Sequence, residues 1–135
     1  MNKQFFISLF FALATFIFLG GVFANFVFLP EFEIWHDAYP EAVREAPDFV
    51  SGLVLALLQL IAFVVLLPKL QIASRSGAAM FGAVYSVIIW LIVDLQMVSV
   101  THIVSYEYVL KDALLSAVMG AILGVVVSWS QKRFA

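Results

Sequence analysis

Four long apolar runs account for most of the chain, and the polar stretches between them are short. The first, Phe5 to Leu29, stops at Pro30, which lacks a backbone donor, and is followed by Glu31 and Glu33. The second, Phe49 to Leu67, opens after Asp48, a residue suited to accept from the free N–H groups of a first helical turn. It closes at Pro68-Lys69. The third runs from Ala78 to Ser99, and nothing before Val104 forces it to break. The fourth begins at Ala113, after Tyr106–Asp112, and fades at Gln131-Lys132-Arg133. A transmembrane helix needs about 20 apolar residues. The pattern therefore predicts an all-α, integral-membrane four-helix bundle with spans at residues 5–29, 49–67, 78–99 and 113–130. Between Pro40 and Pro47, Glu41–Ala46 reads as a short interfacial helix in the first outer loop. Strands of a barrel would show alternating segments of about 10 residues, and none occurs.

Composition agrees with lipid as the solvent. Hydrophobic residues make up 64% of the chain and charged ones 12%, against about 45–50% and 25% in a water-soluble domain. With 135 residues, four spans leave only short links, so a single transmembrane domain is expected. Cysteine is absent, which excludes thiol catalysis, disulfides and iron–sulfur ligation by this chain. Lys3 ahead of an apolar run, with Val22-Phe23-Ala24 further on, has the outline of a signal peptide. The run is too long for one, and it is read as the first span.

Orientation follows from the bases, since acids contribute little to it. Lys3, Lys69, Arg75, Lys132 and Arg133 fall on one side and only Arg44 and Lys111 on the other. Both termini are therefore expected in the cytoplasm. Trp35, Tyr39, Tyr106 and Tyr108 would anchor the outer interface and Trp129 the inner one, whereas Trp90 is mid-span and reads as packing.

Asp94 is the one ionisable residue inside these runs, and a charge there costs about 2.5–3.5 kcal/mol at a helix centre. Counting 1.5 Å per residue places it about 7–12 Å below the outer surface, at a depth shared by Asn25 and Ser116. Gln59 lies on a face with Gly52, Ala56 and Ala62 that should turn inward. Asp94, Asn25, Gln59 and Ser116 thus form a candidate intramembrane polar cluster. Gln96, about 200° around the helix from Asp94, cannot face the same partner. The cluster admits two readings, a proton or cation site and a hydrogen-bonded acid that holds helices together.

Small residues recur every four positions as Ser116, Gly120, Gly124 and Ser128, and as Ala78, Gly82 and Ser86. These are close-packing seams, used within one copy or between two. His36 and His102 lie near outer acids and are weak metal candidates without ligand spacing; a haem would need histidine within the spans. No cofactor is expected. The many phenylalanines of the first run read as lipid-facing and packing surface. The cytoplasmic bases are too sparse for a nucleic-acid surface, and no phosphate loop or nucleophile motif occurs.

The stretch from Trp90-Leu-Ile-Val-Asp94-Leu95, through Lys111-Asp112-Ala-Leu-Leu, to Ser116-Ala-Val-Met-Gly120-Ala-Ile-Leu-Gly124 resembles a group of small four-span bacterial membrane proteins of unknown function. In that group an acid–leucine step late in span three precedes an acid at the start of a glycine-rich span four. The resemblance implies a bacterial inner-membrane location and no activity, with Asp94 and Asp112 as matching positions.

Two functional readings follow. The first is a non-enzymatic structural or accessory component that binds a membrane-protein partner, or a second copy, through its seams and acidic outer loop. The alternative is a subunit of a small oligomeric transporter or channel that uses Asp94. An intramembrane enzyme is the weakest, because no convergent set of catalytic side chains is present.

Overall fold

The computed structural model describes residues 3–135. Helix α1 (Lys3–Phe23) passes through a π-helical turn (Ala24–Phe28) into α2 (Leu29–Ala38). Helices α3 (Phe49–Lys69), α4 (Arg75–Val100) and α5 (Tyr106–Arg133) follow. Among the described residues there is no strand, and the four helical rods 3–38, α3, α4 and α5 are each long and apolar enough to cross a membrane. Three of them start on side-chain caps. Asp48 accepts from the Ser51 N–H at 2.8 Å, Ser74 Oγ from the Gly77 N–H at 2.9 Å, and Ser105 Oγ from the Tyr108 N–H at 3.2 Å. Each cap satisfies a donor that the helix itself cannot.

The expected stop at Pro30 does not occur. Within a regular α-helix the Pro30 ring would press on the Phe26 carbonyl. Here the Leu29 N–H reaches back to the Ala24 carbonyl, one residue further than an α-turn, and the chain passes Pro30 without ending. The expected interfacial helix at 41–46 is absent as well. Ala42 and Val43 both donate to the Tyr39 carbonyl in a tight turn, and helix is instead found upstream, in α2. At the other end of the chain, the Ser105 cap starts α5 seven residues before the expected Ala113, which brings Lys111 and Asp112 into the helix. Helix α4 ends at Val100, with Thr101 as its cap.

The packing is uneven. Helices α4 and α5 run antiparallel in backbone contact. A Cβ built on Gly82 would fall inside the Gly120 carbonyl, and one on Gly124 inside the Ala78 carbonyl. Helix α1 lies against α5 and α3. Near the chain termini, Ala12, Leu60, Phe63, Val64, Leu67, Ala78, Leu123 and Val127 form a buried core. Polar groups tie the same region together. Ser8 and Ser130 meet at 2.9 Å, Gln131 Nε2 donates to the Val64 carbonyl at 3.0 Å, Gln4 donates to the Gln131 carbonyl, and Lys132 to that of Ala73. At the far end α3 stands away from this core, with every residue from Phe49 to Leu55 exposed. The first half of α3 therefore contributes little to the interior at the level where Asp94 lies.

Candidate functional site

The two stripes of small residues that join α4 and α5 continue, in the same period of four, to acids. On α4 the stripe runs Ala78, Gly82, Ser86, Trp90 and Asp94; on α5 it runs Asp112, Ser116, Gly120, Gly124 and Ser128. Residues four apart share a helix face. Because the helices are antiparallel and pinned by Gly82 on Gly120, the two acids arrive at the same level. The Asp94 and Asp112 carboxyl groups lie within hydrogen-bonding reach of one another. Both residues are buried, at 6% and 4% exposure.

A carboxylate oxygen only accepts, so a hydrogen bond between two carboxyl groups contains a proton. Such a contact therefore requires that at least one of the two be protonated. Ser116 Oγ donates to Asp112 Oδ1 at 3.3 Å, and the Oδ2 oxygen of Asp94 is buried without a partner. Among the described residues no lysine or arginine pairs with either acid. Among the described residues the ion pairs are Lys111 with Glu31 at 3.1 Å and Lys111 with Glu107 at 2.9 Å, both on the exposed side of α5.

Asp112 and Ser116 form one end of a half-enclosed cavity of about 260 Å³. Its walls are chiefly aromatic: Phe16 and Phe23 from α1, Phe28 from the π-helical turn, Trp90 from α4 and Tyr108 from α5. Gly20 lies open on this wall, since nothing stands within 4 Å of where its Cβ would be. Phe16, Trp90 and Met119 also line a smaller neighbouring space that Gln59 closes. The Nε2 of Gln59 is buried without a hydrogen-bond partner. Tyr108 is held in place by Trp35, with ring centroids 4.7 Å apart, and by Phe28 at 6.3 Å. The passage through Pro30 matters here, because it carries Trp35 and Glu31 alongside the start of α5.

The expected polar cluster is thus only partly assembled. Asp94 and Ser116 belong to one site, linked through Asp112. Asn25 is exposed and donates to the Gly21 carbonyl of its own helix at 2.8 Å. Gln59 reaches the neighbouring space rather than the acids. Gln96 is exposed while Asp94 is buried, as their angular separation requires. His102 is exposed, His36 Nδ1 lies 2.8 Å from the Val43 carbonyl, and among the described residues no three His, Cys, Asp or Glu side chains gather as a metal site. Trp90 lines the cavity beside its packing role. Asp112 was not legible as an interior acid from hydropathy, since it sits at the polar head of the fourth run. Its spacing of four from Ser116 was the available signal.

The fold and site define a four-helix, membrane-spanning type of chain with a carboxyl pair between its last two helices. No family model, characterised protein or solved structure matches it.

Proposed function

We propose that the protein is a non-enzymatic multi-pass membrane protein that serves as a subunit of a small proton-linked transporter, with Asp94 and Asp112 as the proton carriers. One observation carries this reading: two buried acids from different helices meet beside a cavity of about 260 Å³, large enough for a small molecule. Intramembrane acids that face an interior cavity mark ion or proton paths. The accessory-protein reading would have to rest on the acidic outer loop, because Gly82, Gly120 and Gly124 of the seam are occupied by packing between α4 and α5.

The basic residues Lys3, Lys69, Arg75, Lys132 and Arg133 lie at the end of the bundle that holds both termini, which supports a cytoplasmic position for that end. The resemblance of the Trp90–Gly124 stretch to small bacterial four-span proteins supports the inner membrane as its home. Transport through so small a bundle calls for assembly with a second copy or another membrane protein.

Infrared spectroscopy of the purified protein tests the proton-carrying pair without knowledge of a substrate. A carboxylic-acid carbonyl band is expected in the native protein at neutral pH, and it should vanish in both Asp94→Asn and Asp112→Asn, since each leaves a lone carboxylate bonded to an amide. A native spectrum without the band, or one in which the band survives both substitutions, rules the pair out as the proton site.

A further inference from the structure

We propose that the aromatic cavity is a binding site for a lipophilic organic cation, with the Asp112 carboxyl as counter-charge and the faces of Phe23, Phe28, Trp90 and Tyr108 as its walls. The inference rests on the proton-holding pair and adds the class of ligand. Among the described residues no lysine or arginine meets the pair, so either carboxyl, once ionised, stands without a counter-charge. An isolated charge in an apolar site is costly, and a bound cation removes that cost.

Lipophilic cations match the walls as well as the charge. Aromatic faces attract a cation through their quadrupoles, the more so when water is excluded. A neutral apolar ligand would fill the same volume but leave the carboxyl charge uncompensated. A strongly hydrated metal ion would find in the lining only the Asp112 carboxyl and the Ser116 and Tyr108 hydroxyls, fewer oxygens than the six or more that hard cations prefer. Two buried polar groups stand uncommitted at this interior: Asp94 Oδ2, on the residue bonded to Asp112, and Gln59 Nε2 in the adjoining space. Charged groups close to the pair are few, with Glu31, Glu107 and Lys111 engaged with one another at the surface and the Tyr108 phenol alongside.

The probe is benzyltrimethylammonium, compared with neopentylbenzene, its uncharged isostere in which carbon replaces nitrogen. Binding is read from the indole N–H resonance of Trp90 in tryptophan-labelled protein, assigned through Trp90→Phe. The expected result is saturable binding of the cation, at least about ten-fold tighter than that of the isostere, one such factor corresponding to about 1.4 kcal/mol. Asp112→Asn should remove most of this preference. Phe28→Leu, which keeps an apolar wall and lies outside the helix seam, should weaken the cation and leave the isostere unchanged, and it serves as the test should Asp112→Asn misfold. Equal binding of cation and isostere, or a cation affinity untouched by both substitutions, overturns the proposal. Loss of the infrared band with cation binding intact would remove the proton pair and not the cavity, whereas an intact band without cation binding would remove the ligand class alone.

Discussion

Gln131 donates from its side chain to the backbone carbonyl of Val64, 3.0 Å away. That carbonyl would ordinarily receive the N–H of residue 68, which is Pro68 and has none. A defect in α3 is thus repaired by a side chain of α5, and the same contact locks the two helices at a fixed height. Replacing Gln131 with Leu strands a buried carbonyl and is expected to cost about 1–3 kcal/mol. The Gln4 contact survives, because it goes to the Gln131 backbone. In a Pro68→Ala background the new N–H takes the Val64 carbonyl, so the cost should fall by more than half. Reversible unfolding in mixed micelles, followed by helical circular dichroism, measures both; equal costs in the two backgrounds would contradict this account.

The glycines divide into two groups. At Gly82, Gly120 and Gly124 an added Cβ meets the backbone of the opposite helix, which cannot give way as a side chain tip can. Alanine at any of these is expected to lose about 3 kcal/mol or more, the upper end for overpacking. At Gly21 nothing lies within 4 Å, and alanine there should change stability by no more than about 1 kcal/mol, in the favourable direction. A seam that tolerates Gly82→Ala as readily as Gly21→Ala would not be in backbone contact.

Asp48 gives a pH dependence of known sign. The Ser51 hydroxyl and N–H, together with Arg44, hold its carboxyl below the ordinary value of 3.8. The folded state therefore prefers the ionised cap, so its stabilising effect is complete above the ordinary carboxyl value. It is lost as pH falls through the lowered folded value. Asp48→Asn should destabilise α3 relative to the native protein at pH 7, with the gap closing under acid conditions. A gap that is constant from neutral to strongly acid pH would show that ionisation of Asp48 plays no part.

Tyr85 links α4 to α3 by donating to the Gln59 carbonyl at 2.8 Å, and its ring packs on Phe63 with centroids 5.2 Å apart. Tyr85→Phe removes the first contact and keeps the second. The expected loss is about 0.6–1.7 kcal/mol, the range of interhelical hydrogen bonds within membranes. Tyr85→Ala, which also removes the ring, should cost several times more. If the two variants are equally stable, the edge-to-face contact with Phe63 contributes nothing.

Much of this architecture was legible in one dimension. Run length against bilayer thickness determines where helices must form, because backbone groups in lipid have no partner except each other. The Asp48 cap is local chemistry and was legible too, as was the inward face marked by a period of four. Contacts distant in sequence were not. Pro30 reads as a stop, and only the π-helical turn before it, compatible with Trp35 packing on Tyr108, lets the helix continue. Asp112 reads as a surface acid at the head of a run, and only the antiparallel register enforced by Gly82 against Gly120 places it on Asp94. Whether the seam served one copy or two was likewise decided by tertiary packing, since spacing defines a face and says nothing about what occupies it. The amino-acid order determined which segments are apolar enough to enter a membrane; the meeting of helices decided which of their polar groups come together, because that depends on heights and rotations that no single helix contains.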